Sequence, residues 1–198
     1  MTGTAQVAYF ITHPDVLIDP AVPVPDWKLA PCGRARMVRA SASSWMAGVR
    51  SIWCSAERKS RDAASILGEQ LGLSVAELVG LGENDRSATG YLPAAEFESV
   101  ADQFFAQPER SVRGWERAVD AQCRIVAAVD HVLAASAGCG GDVVIVSHGG
   151  VGTLLLCHLR GEAISRAHDQ PRNNGGNYFA FDIATRRLRH GWRAIDES

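Results

Sequence analysis

Residues 143–159 read VVIVSHGGVGTLLLCHL: a continuous apolar, β-branched run gives way within four residues to a second apolar stretch. Val143–Ser147 shows no polar alternation, so a strand built from it is buried on both faces, as in a parallel sheet. Ser147-His148-Gly149-Gly150 then leads directly into Val151–Leu159, which reads as a helix. A buried strand feeding a helix constrains the chain to an α/β architecture, and the remaining pattern agrees. Further strands are expected at Val7–Thr12, Ser51–Cys54 and Ser74–Val79, with two late strands at Asn177–Ile183 and Leu188–Arg193 joined by a turn near Ala184–Arg186. Helices are expected from Cys32 to about Met46 and over Glu57–Leu71. Trp115, Val119, Cys123, Val126, Val129 and Leu133 recur at three- and four-residue steps, which predicts a long amphipathic helix from Gly114 to about Ala137. The expected fold is a three-layer α/β/α sandwich with a mostly parallel central sheet.

The 198 residues suffice for one core, since a chain of this size buries roughly 70% of its unfolded surface. A single domain over 1–198 is expected. Four prolines within Pro20–Pro31 read as an ordered surface loop leading into a helix. The net charge of −2 argues against a nucleic-acid or membrane-surface protein that depends on global positive charge. Five cysteines, an odd number with no C-x-x-C pair, and a start lacking a basic leader region point to a reduced, cytoplasmic protein. No run approaches the ~18–20 apolar residues of a membrane span.

Three polar clusters stand where apolar strands end: Thr12-His13-Pro14-Asp15, Ser55 to Lys59, and Ser147 to Gly150. The carboxyl ends of parallel strands share one sheet edge, where ligands bind. His13, Lys59 and His148 are therefore expected to converge. Singly, each also fits a structural role: a strand cap, a solvated helix face, a buried hydrogen-bonded histidine. Gly149 and Gly150 open a helix whose free N–H groups form an anion site, and Ser55 can cap the helix carrying Lys59. Two helix ends, an ammonium and two imidazoles suit phosphate or sulfate better than a metal. No metal or other cofactor is expected, because His13-x-Asp15 has no second ligand cluster at suitable spacing. A serine hydrolase is excluded by the absence of G-x-S-x-G after a strand, and Gly150-Val151-Gly152 lacks the third glycine of a dinucleotide fingerprint.

ITHPD, CSAERKSRDAA, the LGE of Leu81–Glu83 and VSHGG resemble, in order and spacing over roughly residues 7–160, four motifs of the histidine phosphatase superfamily, the phosphoglycerate mutase-like group. Their usual forms are R-H-G-E, S-P-x-x-R-A-x-x-T-A, L-x-E and S-H-G-G. The resemblance implies a phosphoglycerate mutase-like fold and a metal-independent phosphatase acting through a phosphohistidine. His13 would be the nucleophile, Glu83 the acid that protonates the leaving oxygen, and His148 a ligand of the phosphoryl group. Thr12, Lys59, Arg86 and Gly149 are the expected phosphate-binding residues. The first two motifs depart from the usual form: Thr12 and Lys59 stand where the family has arginine, and Pro14 where it has glycine. A guanidinium grips phosphate with a fork, whereas lysine offers a point charge. Arg86, three residues past Glu83, is the favoured source of compensating charge, ahead of Arg117. Residues 84–114 are expected to form a lid or cap over the site, and Asn173 to Asn177 a turn.

The substrate expected is a small phosphorylated molecule or a phosphoprotein; a homodimer is left open. Two alternatives stand beside the phosphatase: a phosphomutase of the same chemistry, and a non-catalytic phospho-ligand-binding module, which the departures at Thr12, Pro14 and Lys59 motivate.

Overall fold

The computed structural model describes residues 6–196. Residues 1–5 and 197–198 lie outside the described residues. Six strands occur: β1 (Val7–Thr12), β2 (Val49–Cys54), β3 (Val75–Glu77), β4 (Asp142–Ser147), β5 (Asn177–Asp182) and β6 (Leu188–Ala194). The helices are α1 (Pro31–Ser41), α2 (Arg58–Leu71), α3 (Ala94–Ala106), α4 (Ala118–Ala135) and α5 (Gly149–Arg160). The strands form one sheet in the order β3-β2-β4-β1-β5-β6. The first four run parallel; β5 and β6 continue the sheet antiparallel, as two strands joined by a short turn must.

Strand periodicity sorts the core into two layers. Val7, Tyr9 and Ile11 of β1 pack with Met37 and Ala40 of α1 and Ala63, Ala64 and Leu67 of α2. Ala8 and Phe10 point the other way, to Ile125, Val129 and Val132 of α4 and Leu155 of α5. Both faces of β1 and β4 are thus covered, which is why their sequences are apolar without alternation. This is the expected α/β/α sandwich.

Element ends differ from expectation where the backbone turns. The first helix stops at Ser41, and a separate single turn covers Ser44–Met46. The long helix starts at Ala118, four residues late, because Arg113 and Gly114 both adopt positive φ. β3 keeps only Val75–Glu77 of the expected Ser74–Val79, the chain then curling into a 3-10 turn at Val79–Leu81. Within 84–114, α3 contributes Val100, Phe104 and Phe105 to a satellite core with Trp115, Ala118, Ala121 and Leu154. Most aromatic residues of this segment are therefore anchored in packing.

Register aligns the functional ends. Thr12 pairs with Ser147 and Cys54 with Val146, so the three polar clusters leave the sheet at one level. No helix among the described residues is long and apolar enough to cross a membrane.

Candidate active site

His13 continues the ladder by one bond, its N–H donating to the Ser147 carbonyl at 3.1 Å; Pro14, with no N–H, ends it. The His13 carbonyl accepts from Gly176 N at 3.2 Å. Gly175 sits against it with φ +77°, and a Cβ there would lie 2.3 Å from the His13 oxygen. The nucleophile candidate is thus pinned by a turn 162 residues away that tolerates only glycine at its tightest point.

His13 Nδ1 lies 3.0 Å from the Pro14 carbonyl oxygen. A carbonyl can only accept, so Nδ1 carries the proton and Nε2 keeps its lone pair. Burial lowers the imidazole to about 4, with the Lys59 charge acting in the same direction and the Pro14 bond opposing. His148 is fully buried and caps α5. Its ring meets that of His13 at 67°, with centroids 5.2 Å apart. Its Nε2 is 2.7 Å from Ser55 Oγ and 3.3 Å from Glu57 Oε1, and Nδ1 has no partner. Burial holds this histidine well below its ordinary value too, although Glu57 pulls it up. Both imidazoles are neutral near pH 7.

Glu83 hangs from the sheet by a loop tied at several points. Ser147 Oγ donates to the Leu81 carbonyl at 2.7 Å. The Arg124 guanidinium, on α4, reaches the carbonyls of Gly80, Gly82 and Glu83 while also pairing with Glu116. The Glu83 carboxylate lies across the first turn of α5: Oε2 accepts from Gly150 N at 3.0 Å and Oε1 from Val151 N at 2.9 Å. Oε1 also accepts from Asn84 N at 3.1 Å. Of the N–H groups at the start of α5, where an anion site is expected, those of Gly150 and Val151 are taken by the chain's own carboxylate. Gly149 lines the adjoining cavity, with the Gln170 amide so close that a Cβ would meet it at 2.3 Å.

The other expected phosphate ligands are placed unequally. Thr12 is buried; its hydroxyl accepts from Asn177 N at 3.0 Å and lies 2.8 Å from Gln170 Oε1, so it serves the turn behind His13. Lys59 is 3% exposed, its ammonium donating to Glu57 Oε2 and to the Val24 carbonyl at 2.9 Å. The proline-rich loop therefore closes over this lysine. Arg86 differs: its guanidinium lies over the Phe97 and Trp115 rings, 5.0 and 5.6 Å from their centroids, and among the described residues no carboxylate engages it. Arg117 pairs with Asp120 on the exposed start of α4 and stands apart from the site.

Two cavities flank Glu83 and Arg86. One of about 620 Å³ is lined by His13, Glu83, Arg86, Gly149, Gly150 and by Phe97, Phe104 and Phe105 of the 84–114 segment. The other, about 510 Å³, is bounded by the proline-rich loop, Glu57, Glu83, Arg86 and Arg124. Asn84, Arg86, Phe97, Ala101, Phe104 and Phe105 are among the residues by which the segment 84–114 lines the first.

Glu57 is the residue that sequence reasoning passed over. Burial would raise its carboxyl, but the adjacent His148, the Lys59 ammonium and the Glu83 N–H override that and hold it at about 2. Its position in the second cluster, two residues before Lys59, was the available signal. Among the described residues no group of three or more His, Cys, Asp or Glu side chains is arranged to hold a metal ion.

No curated protein is significantly similar to the chain in sequence. Solved structures are similar along nearly its whole length. A mycobacterial glucosyl-3-phosphoglycerate phosphatase in complex with inorganic phosphate is 23% identical, with a TM-score of 0.74 over 98% of this chain and 100% of that one. Bacillus stearothermophilus YhfR is 19% identical, with a TM-score of 0.77 over 98% of both chains. The alpha-ribazole phosphatase from Shigella flexneri is 15% identical, with a TM-score of 0.67 over 97% and 96%. These likenesses establish the fold. The family model for the histidine phosphatase superfamily (branch 1) matches residues 21–182. Its match across most of the chain means that the protein belongs to the histidine phosphatase superfamily.

Proposed function

We propose that the protein is a metal-independent phosphatase that hydrolyses a phosphomonoester through a phosphohistidine on His13. The observation that carries this reading is the His13 tautomer: Nδ1 is committed to the Pro14 carbonyl, which leaves a neutral imidazole with a bare Nε2 beside the cavity. Nε2 forms the N–P bond as the P–O ester bond breaks. Glu83 relays the proton that the phosphate monoanion brings to the leaving oxygen. Water then attacks phosphorus and yields a proton to Glu83, which passes it to the departing phosphate as the N–P bond breaks and neutral His13 returns. Glu83 Oε1 accepts from both Val151 N and Asn84 N, whereas Oε2 accepts from Gly150 N and keeps a lone pair for this exchange. Arg86 supplies positive charge to the phosphoryl oxygens. Phosphatases among the structurally similar proteins support the class of reaction.

The test is a panel of phosphate esters with chelator present, comparing wild type with His13→Ala, followed by acid-quenched mass spectrometry. Turnover lost in His13→Ala, with the adduct on His13, is expected. An adduct on His148 reverses the assignment.

A second reading, a phospho-ligand-binding module without turnover, draws on one observation: Lys59 is bonded to Glu57 and Val24 and presents no free ammonium to a ligand. Phosphate binding with no hydrolysis across the panel selects it.

A further inference from the structure

On the wall of the 510 Å³ cavity lies a carboxylate, Glu57, that the phosphatase reading leaves without a task. Glu57 accepts from Glu83 N at 2.8 Å and from Lys59, and faces His148 Nε2 at 3.3 Å. A backbone N–H, an ammonium and an imidazole nitrogen are the kinds of donor that nonbridging phosphoryl oxygens require. The carboxylate is ionised, as its pairing dictates. With both histidines neutral, Glu57 offsets Lys59 and Glu83 offsets Arg86. A phosphate dianion thus meets a site whose charge is already balanced and whose donors are already engaged. The side chain has somewhere to go: Glu57 lines the 510 Å³ cavity, and so does Arg86, which no carboxylate among the described residues engages.

We propose that Glu57 is an internal anion occupying a phosphoryl-oxygen subsite, and that a ligand phosphate binds by displacing its carboxylate into the neighbouring cavity, toward Arg86. The inference rests on the phosphatase reading for where the phosphoryl group sits, beside His13 and His148. Glu57 then sets specificity. Only a phosphate whose organic part adds enough binding in the larger cavity overcomes the resident carboxylate, and free inorganic phosphate is held weakly.

The experiment titrates inorganic phosphate and, separately, orthovanadate into the whole protein by calorimetry, for wild type, Glu57→Gln and Glu57→Asp. Glu57→Gln removes the charge and should tighten both anions by about ten-fold or more, the worth of one charge-assisted contact restored to the ligand. Glu57→Asp keeps a negative charge beside Lys59 but draws it back from His148 by one methylene, so it guards against loss of folding; a smaller tightening is expected. Unchanged or weakened anion binding in the folded variants overturns the proposal. Loss of folding in both variants assigns Glu57 a structural role and overturns it as well. Tighter binding with no ester hydrolysis in any variant keeps the displaced carboxylate and removes the phosphatase reading. Hydrolysis by wild type, with anion affinity indifferent to Glu57, does the reverse.

Discussion

The rings of His13 and His148 meet edge to face, 67° apart with centroids separated by 5.2 Å, at the ends of the adjacent parallel strands β1 and β4. Two protonated imidazoles at that separation would repel strongly, and burial already disfavours the charged form of each. The pair is therefore a neutral unit. Nδ1 of the first ring is held by the Pro14 carbonyl, leaving the Nε2 lone pair, while the other ring is held by Ser55.

Neutrality sets the pH dependence. The folded His13 titrates near 4, below its ordinary 6.5, so the unfolded chain binds more protons between those values. The stability that His13 contributes is complete above about pH 6.5 and is lost as the pH falls through 4. His148 acts in the same direction. Glu57, depressed to about 2, adds stability that is present above its ordinary 4.5 and lost as the pH falls toward 2. Acid unfolding should thus begin below pH 6.5 and steepen below 4.5. His13→Gln should flatten the first part of the curve in pH-dependent thermal melts; an unaltered slope would mean that His13 is not held neutral by the fold. The acid limb of kcat/KM should lie nearer pH 4 than 6.5.

Glu83→Gln tests two roles at once. Losing the proton donor should slow esters with poor leaving groups about a hundred-fold, and aryl phosphates far less, because those leave without protonation. The carboxylate also caps α5, so stability should fall by about 0.5–2 kcal/mol at neutral pH. Equal rate losses for both ester classes, with the same drop in Tm, would leave only the cap.

How far this was legible differs between fold and site. The continuous apolar runs of β1 and β4 declare buried parallel strands, and the steps from Val119 to Leu133 declare α4. Element ends were less visible: α4 begins late because of positive φ at Arg113 and Gly114, which no periodicity reports. In the site, His13, Glu83 and His148 stand out because each follows a strand or a strand-linked loop. The destination of a polar side chain is a tertiary fact. Thr12 turns to Asn177, some 165 residues on, and Lys59 to the proline-rich loop, 35 residues back. Glu57 was hidden for the same reason, since a glutamate next to Arg58 and Lys59 reads as helix-surface charge until its burial is known.

Gly175 offers a test of positioning that touches no reacting atom. With φ +77° and the His13 carbonyl 2.3 Å from any Cβ, Gly175→Ala must either strain this turn or push His13 off its register with Ser147. The expected cost is about 1–3 kcal/mol of stability. If His13 is the nucleophile, kcat should fall by more than KM rises, because the displaced imidazole loses its line of attack while the cavity persists. A pure stability loss with unchanged kcat in the folded fraction would show that the turn does not position His13.

The remaining question is which cation meets the phosphoryl oxygens. The Thr12 hydroxyl is engaged behind the site, with Asn177 N and Gln170 Oε1. Lys59 is engaged too, beneath Glu57. Arg86 is the group with capacity: it lines both cavities, its guanidinium is braced on Phe97 and Trp115, and among the described residues no carboxylate takes its N–H donors. Aromatic bracing fixes the plane without consuming those donors. Arg86→Ala should therefore lower kcat/KM by about ten- to a hundred-fold, the loss of one or more charge-assisted hydrogen bonds. Arg86→Lys should recover only part of this, because an ammonium can neither stack on both rings nor offer a fork. Lys59→Ala should lower both stability and kcat/KM, since it leaves the buried Glu57 carboxylate without its cation. Thr12→Arg should fail to rescue Arg86→Ala: a guanidinium at that buried position must break the bond to Asn177 before it reaches the cavity. Steady-state kinetics on these four variants, each beside a melting curve, separates the outcomes. An Arg86→Ala protein with wild-type kcat/KM, alongside a Lys59→Ala protein that is stable but inactive, would move the phosphate anchor from the cap to α2.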